Sequence, residues 1–132
     1  MRFCVFDTET TGLPKTKILN PDTLNDWPHI VQLSYIVFDL SLNEIVESKD
    51  NIIKVPKNII IDEESSKMHG ITNEISCNMG IPIDEALNEL FVCLKNVDVI
   101  VGHNISFDIN IVKAELLRII YEQKLTPRQI KN

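Results

Sequence analysis

Two acidic residues follow a short apolar segment near the N-terminus. Phe3–Phe6 is rich in Val and Phe, which predicts a buried strand, and Asp7 and Glu9 come directly after it. Side chains two positions apart on a strand point to the same face, so the two carboxylates should lie side by side. Such a pair is costly unless a cation lies between its members, and Mg²⁺ or Mn²⁺ prefers oxygen ligands. The pair therefore predicts a divalent-cation site; the alternative is a strand that simply ends in solvent with two acids.

Thr10, Thr11, Gly12 and Leu13 continue the chain after the two acids. Hydroxyls and free backbone N–H groups beside a metal pair would suit a sugar or a phosphate group. Gly12 would permit a backbone conformation, or a close approach, that a residue with a Cβ cannot make. A plain turn is the alternative for this segment.

A third acid lies in the segment Gly-His-Asn-Ile-Ser-Phe-Asp, at residues 102–108. Asp108 falls in the first turn of a long helix predicted from about Ser106, directly after a predicted strand. Ligands of open α/β sheets bind beyond strand ends, and a helix N-terminus favours an anion. Asp108 could also be a simple helix-capping residue, and Asn104 could merely shape the turn.

The elements that must position these acids are predicted in the order βββ, α, β, α, in which only the two longer helices are counted. Strands are expected over about 2–8, 30–40, 45–55 and 97–101, with helices over 62–68, from 84 and from 106. The 30–40 strand is apolar almost throughout, which is typical of a sheet covered on both faces, and the 97–101 strand also reads as buried. The order predicts a mixed sheet with helices packed against it, strand one being central and parallel to a later strand. The predicted inner face of the last helix comprises Ile109, Val112, Leu116, Ile119 and Ile120.

The composition limits the class of protein. A chain of 132 residues suits a single domain, and a net charge of −6 argues against a broad electrostatic grip on nucleic acid or membrane. A nuclease that holds only a strand end through metal ions remains compatible with that charge. The three cysteines are far apart and form no Cys-x-x-Cys pair, which predicts a reduced intracellular setting: cytoplasm, nucleoid, nucleus or viral factory. The apolar run before Asp7 is too short for a signal peptide, so secretion is not expected.

Four segments together resemble the DEDD 3′–5′ exonuclease family (DnaQ-like, DEDDh type), which includes the epsilon-type proofreading subunits of DNA polymerases. They are residues 6–13, 28–33, 68–72 and 101–108. The resemblance implies an α/β, ribonuclease-H-like mixed sheet of βββαβα order flanked by helices. It also implies hydrolysis of phosphodiesters with two divalent cations, Mg²⁺ or Mn²⁺.

The resemblance assigns roles to individual residues. Asp7 would bridge both metals, Glu9 would hold the metal that carries the attacking water, and Asp108 would hold the second metal. His69 would belong to a structural His-Gly-Ile-Thr turn rather than to the chemistry. The residues implied to contact the terminal nucleotide are Thr10, Thr11, Gly12, Leu13, Asn104 and Phe107.

The family has a third motif that supplies a fourth Asp and a general base, either His-x4-Asp or Tyr-x3-Asp. His103 and Asp108 have the first spacing but already form the second motif, and Tyr35 and Asp39 have the second spacing inside a predicted strand. We interpret Tyr35 as core and Asp39 as a strand end. The expectation is therefore one truncated exonuclease domain over residues 1–132, without the C-terminal part of the fold and with weak or no activity.

The alternative function is a catalytically incompetent relative that acts as a binding or regulatory module. The expected partner is the 3′ end of single-stranded DNA or RNA. A polymerase or a separate C-terminal segment would be a further partner, and an exposed part of the last helix would favour self-association. No membrane partner is expected.

Overall fold

The computed structural model describes residues 1–123, in which four strands form one mixed sheet and the longer helices pack against it. Residues 124–132 of the predicted domain lie outside the described part. The strands are β1 (Arg2–Thr10), β2 (Ile30–Asp39), β3 (Glu44–Ile52) and β4 (Val99–Val101). The helices are α1 (Glu63–His69), α2 (Asn73–Met79), α3 (Ile83–Leu94) and α4 (Ile105–Gln123), with one 3₁₀ turn at Leu24–Asp26.

The strand order is β3-β2-β1-β4, which confirms the predicted sheet. β1 pairs antiparallel with β2, β2 pairs antiparallel with β3, and β1 pairs in parallel with β4. In the β1–β2 register Asp7 lies opposite Ser34, and Glu9 lies opposite Gln32. The register then shifts, because Thr10 pairs with Ile30 rather than with the next residue of β2. This irregularity lies directly beside the predicted site.

The two faces of β1 differ in burial. Cys4, Phe6 and Thr8 are buried, whereas Asp7 is exposed and Glu9 is partly exposed on the alternate positions. The period of two in a strand therefore puts both acids on the face that α3 and α4 do not cover.

The main core lies between the sheet and the two longer helices. Leu87 and Leu90 of α3 are buried, together with Cys4 and Phe6 of β1. On α4 the predicted inner face is partly wrong, because Ile109 is 37% exposed and Ile111 is fully buried. The physical reason is that Asp108 and Glu115 also point inward, each 3% exposed, so the buried face is rotated from the purely apolar stripe.

β4 is not buried, contrary to expectation. Val99, Ile100 and Val101 are 38%, 41% and 41% exposed, because β4 is the edge strand of the described sheet and pairs only with β1. β2 is an internal strand, but its residues alternate between buried and half-buried positions. The expectation that both faces are fully covered is therefore wrong for the described residues, since an apolar sequence does not report which neighbours cover it.

Each of the two short helices begins after a residue whose side chain caps its N-terminus. The side chain of Asp62 accepts the Ser65 N–H at the start of α1, and Gly70 ends that helix with φ 76°. α2 was not predicted, although Thr72 caps it by accepting the Ile75 N–H. Seven residues are too few for a clear apolar period. Among the described helices, none combines the length and apolar composition needed to cross a membrane.

Candidate functional site

Asp7 and Glu9 lie on the same face of β1, as their spacing predicted. The pKa of Glu9 is raised above its ordinary value, first by partial burial and then by the negative charge of Asp7. The charge of Asp108 raises it further, and His69 opposes the shift. The environment therefore disfavours two free negative charges on this strand end.

Asp108 lies in the first turn of α4, where its carboxylate is almost completely buried. Its Oδ1 accepts a hydrogen bond of 2.7 Å from the Thr8 hydroxyl. A Cβ at Gly102 would come within 3.3 Å of both Asp108 Oδ2 and the Phe6 carbonyl oxygen. The last β1–β4 pair is Val5–Val101, so the carboxylate lies beside β1 just beyond the end of β4.

The pKa of Asp108 is also raised. Burial is the main cause; the hydrogen bond from Thr8 opposes it and the charge of Asp7 adds to it. The three carboxylates therefore act on one another electrostatically, although Asp108 is far along the sequence from Asp7 and Glu9. A cation near them would relieve this repulsion.

The three acids do not form a closed set of metal ligands. Within residues 1–123, no three or more His, Cys, Asp or Glu side chains form a group that could hold a metal ion. The chemistry of the donors nevertheless fits a hard divalent cation, because Asp7, Glu9 and Asp108 offer only oxygen ligands. The residues thus fit Mg²⁺ or Mn²⁺ in kind, without a preassembled geometry.

The segment after the acids is held by its own hydroxyls. Thr10 Oγ1 donates to the Gly12 carbonyl at 2.7 Å, and Thr11 Oγ1 accepts the His29 N–H at 3.0 Å. Both threonines are buried, whereas Leu13 is 84% exposed. The groups of the 10–13 segment that are free to meet a ligand are therefore the Leu13 side chain and the backbone around it.

The conformational reason given for Gly12 is wrong. Gly70 is the glycine with a positive φ among the described residues, and Gly12 is not. A Cβ at Gly12 would meet the Asp62 Cβ at 3.6 Å, which is an ordinary contact. The fold of the described chain therefore does not require glycine there, and a close approach by a ligand is the remaining alternative.

His69 attaches the turn after α1 to this segment. Its Nδ1 accepts the Ile71 N–H at 3.1 Å, so the proton on its Nε2 can be donated to the Thr10 carbonyl at 3.0 Å. Both ring nitrogens are thereby used in contacts with the backbone. This geometry agrees with the structural role expected for the turn.

The other two residues implied to contact a nucleotide lie at the start of α4. Asn104 is exposed, and its carbonyl accepts the Asp108 N–H at 3.2 Å. Phe107 is partly buried and packs against the main core. Asn104 is therefore accessible, whereas Phe107 is largely occupied by packing.

The side chain of Tyr35 lies on the face of the sheet opposite Asp7 and Glu9, and Asp39 pairs with Arg2 at the other end of β1. Tyr35 is 2% exposed on the helix-covered face, opposite Phe6, and its hydroxyl has no hydrogen-bond partner among the described residues. Burial raises its pKa above the ordinary value of tyrosine. Asp39 receives hydrogen bonds from the Arg2 side chain and the Leu42 N–H. The pair therefore has the structural roles that were expected of it.

Sequence reasoning missed the contacts that three residues make beside the site: Glu115, Arg118 and His29. Glu115 Oε1 accepts a 2.6 Å hydrogen bond from Arg118 Nη1 and lies 3.5 Å from His29 Nδ1. The spacing of Glu115 and Arg118 looks like an ordinary surface pair on a helix. A usable signal was that Glu115 falls on the same helical face as Asp108, seven positions earlier.

Comparisons with known proteins agree with this architecture. The RNase T family, described as Exonuclease, matches residues 4–131. The epsilon subunit of DNA polymerase III from Buchnera aphidicola subsp. Schizaphis graminum is 31% identical over 114 residues, which cover 86% of this chain and 45% of the relative. The chain thus spans less than half the length of that curated relative.

Solved structures share the fold. Escherichia coli Exonuclease I in complex with a 5cy-dA13 oligonucleotide superposes with a TM-score of 0.68 at 18% identity, covering 91% of this chain and 24% of that one. Exonuclease I from Methylocaldum szegediense gives a TM-score of 0.66 at 22% identity, covering 83% of this chain and 22% of that one. With the family match and the sheet order, these findings show that the chain belongs to the exonuclease family, as a DEDD-type member with a ribonuclease-H-like fold.

Proposed function

We propose that this exonuclease-family chain removes nucleotides from the 3′ end of a nucleic acid strand with the help of two divalent cations. The observation that carries the proposal is the common face of Asp7 and Glu9 on β1. The charges of Asp7 and Asp108 both act to raise the pKa of Glu9 on that face. A site that penalises free negative charge would be stabilised by cations.

In this proposal the three acids would be the protein ligands of Mg²⁺ or Mn²⁺. Asp7 would be shared by both cations, Glu9 would help to hold the cation that activates the attacking water, and Asp108 would help to hold the other. When bound, such cations polarise water and stabilise the leaving 3′ oxygen. Thr8 keeps the buried Asp108 carboxylate oriented through the 2.7 Å hydrogen bond.

The 10–13 segment would receive the terminal nucleotide. Thr10 and Thr11 fix the shape of the segment, Gly12 leaves room for a close approach, and the exposed Leu13 side chain offers an apolar contact to a base. The accessible Asn104 would lie on the path of the strand. Phe107 would act mainly by supporting the start of α4.

The proposed partners follow from the relatives. The epsilon relatives are polymerase subunits by name, and Exonuclease I has been solved with single-stranded oligonucleotides. We therefore propose a single-stranded 3′ end as ligand, with a polymerase or a separate segment as a further partner. The proposed setting is intracellular, which the free thiols of Cys4, Cys77 and Cys93 support.

A second candidate is a binding module that holds a strand end without cutting it. The observation that favours it is that residues 1–123 contain no preassembled metal-binding group. The sequence also offers no His-x4-Asp pair apart from the one that ends in Asp108.

The test is to incubate excess 132-residue chain with a 5′-labelled single-stranded oligonucleotide and Mn²⁺, and to measure oligonucleotide binding in parallel. A ladder of shortened labelled products that disappears in Asp7→Asn supports the exonuclease. Glu44→Gln is the matched control, because Glu44 is an exposed acid at the start of β3.

Each other result decides between the candidates. Mn²⁺-dependent binding without products, lost in Asp7→Asn, would favour the binding module. Release of the 5′ label as a mononucleotide would contradict the proposed direction. If neither binding nor shortened products are detected, both candidates are overturned.

A further inference from the structure

A buried charged pair on α4 holds the segment that leads into β2. Glu115 Oε2 accepts the Ile30 N–H at 3.2 Å, and its Oε1 accepts Arg118 Nη1. Burial alone would raise the pKa of Glu115, but the contact with His29 and the charge of Arg118 outweigh it, so that pKa lies below its usual value. The carboxylate is therefore charged in a position where a charge is costly without partners.

Arg118 makes further hydrogen bonds to the backbone of the same segment. Its guanidinium donates to the carbonyl oxygens of Pro28 at 3.1 Å, Leu24 at 3.3 Å and Trp27. Only the fork of an arginine offers enough donors in fixed directions to hold these carbonyls together with a carboxylate. The whole 24–30 segment is thus tied to α4.

The 24–30 segment in turn holds the 10–13 segment. The Thr11 N–H donates to the His29 carbonyl at 2.9 Å, and the His29 N–H donates to Thr11 Oγ1 at 3.0 Å. This reciprocal pair lies beside the register shift between Glu9 and Thr10. Ile30 is the β2 residue at that shift, and its N–H is the one that Glu115 accepts.

The same residues line a cleft next to the 10–13 segment. The cleft has a volume of about 520 Å³, and its lining includes Thr11, Gly12, Leu13, His29 and Arg118. Asp108 and Glu115 lie seven positions apart on α4, which places them on one helical face. One helix therefore carries both a proposed metal ligand and the anchor of the proposed nucleotide segment.

We propose that Glu115 and Arg118 are positioning residues that fix the 10–13 segment for the terminal nucleotide through His29. The nucleotide part of this inference depends on the proposed function; the mechanical part, from α4 to Thr11, does not. Loss of the Glu115 charge would loosen Thr11 and weaken nucleotide binding while leaving Asp7 and Glu9 able to bind a cation.

The experiment compares Glu115→Gln and Arg118→Lys with Ile111→Val in the 132-residue chain. Ile111 is fully buried on the same helix, and its apolar side chain makes no hydrogen bond to the 24–30 segment, so its variant lowers stability without cutting the connection. Arg118→Lys keeps the charge beside Glu115 but cannot reach all the carbonyls. The readouts are amide hydrogen exchange at Thr11, affinity for thymidine 5′-monophosphate with Mn²⁺, and affinity for Mn²⁺ alone.

We expect both α4 variants to speed exchange at Thr11 and to weaken nucleotide binding by about tenfold, with Mn²⁺ affinity unchanged. Ile111→Val should change neither the Thr11 exchange relative to global stability nor the nucleotide affinity. Unchanged exchange at Thr11 in both α4 variants, or an equal effect of Ile111→Val, would overturn the positioning role. If the unmodified chain binds no nucleotide, the proposed function fails and the exchange result alone decides the mechanical connection.

Discussion

The Thr8 hydroxyl donates a 2.7 Å hydrogen bond to Asp108 Oδ1, joining the buried face of β1 to the first turn of α4. Because one carboxylate oxygen is engaged in this way, the orientation of Asp108 is fixed relative to the strand that carries Asp7. The bond also counteracts part of the burial that raises the Asp108 pKa.

Thr8→Val should therefore destabilise the protein by about 1–3 kcal/mol, because it leaves the buried Asp108 carboxylate with one hydrogen-bond partner fewer. The valine side chain has nearly the same volume as threonine, so packing should change little. Urea unfolding without metal measures this cost. In an Asp108→Asn background the same change should cost clearly less, since the charged acceptor is absent. Equal costs in both backgrounds would show that the Thr8 hydroxyl stabilises something other than Asp108.

Asp7→Asn should raise the melting temperature of the metal-free protein by about 1–3 °C, because it removes a charge that repels Glu9 and Asp108. The same change should abolish the melting-temperature increase that Mn²⁺ produces. Calorimetry with and without Mn²⁺ measures both effects, and Glu44→Gln should retain the response to Mn²⁺. Identical stabilisation by Mn²⁺ in the unmodified protein and in Asp7→Asn would contradict the metal site.

The sequence was sufficient to predict the sheet and the position of Asp7 and Glu9. Alternation along β1 determines which side chains share a face, and this periodicity is local information. The capped helix after Asp62 was predictable for the same reason, because its cap and its terminal glycine are close in sequence.

Long-range contacts were not predictable in this way. Glu115 points inward and accepts the N–H of Ile30, which lies at a register shift of β2. No local sequence pattern reveals this contact. The exposure of β4 depends on which element lies beside it rather than on its own apolar residues. The Thr11 hydroxyl likewise accepts the N–H of His29, which lies 18 positions further along the chain.

Lowering the pH should remove the stability that the buried Glu115 carboxylate contributes to the folded protein. Because its folded-state pKa is lowered, its stabilising contribution is present above the ordinary glutamate pKa of about 4.3 and is lost as the pH falls through the folded-state value. The difference in unfolding free energy between the unmodified protein and Glu115→Gln should therefore be largest near neutral pH and shrink in acid.

The groups that face this carboxylate are His29 and Arg118. Arg118 keeps its charge over the whole range, and a His29→Gln background removes the contribution of the imidazole. Urea unfolding at a series of pH values measures the difference. A difference that does not change with pH in either background would mean that Glu115 is not ionised in the folded protein.

The 132-residue chain should hydrolyse 3′ ends slowly. The sequence contains no His-x4-Asp pair besides His103 and Asp108, and Asp108 is already assigned to a cation in the proposed function. A positioned general base typically contributes about 10²–10⁴-fold, so the single-turnover rate should be lower by about that range than the rate of a 3′–5′ exonuclease that has such a base, assayed beside it. The assay uses a 5′-labelled single strand and Mn²⁺, with Asp7→Ala as the control for contaminating nuclease.

Comparable turnover that is lost in Asp7→Ala would instead indicate that a residue of this chain acts as the base. His103 would then be the first to replace, because it is exposed just before α4, on whose first turn Asp108 lies.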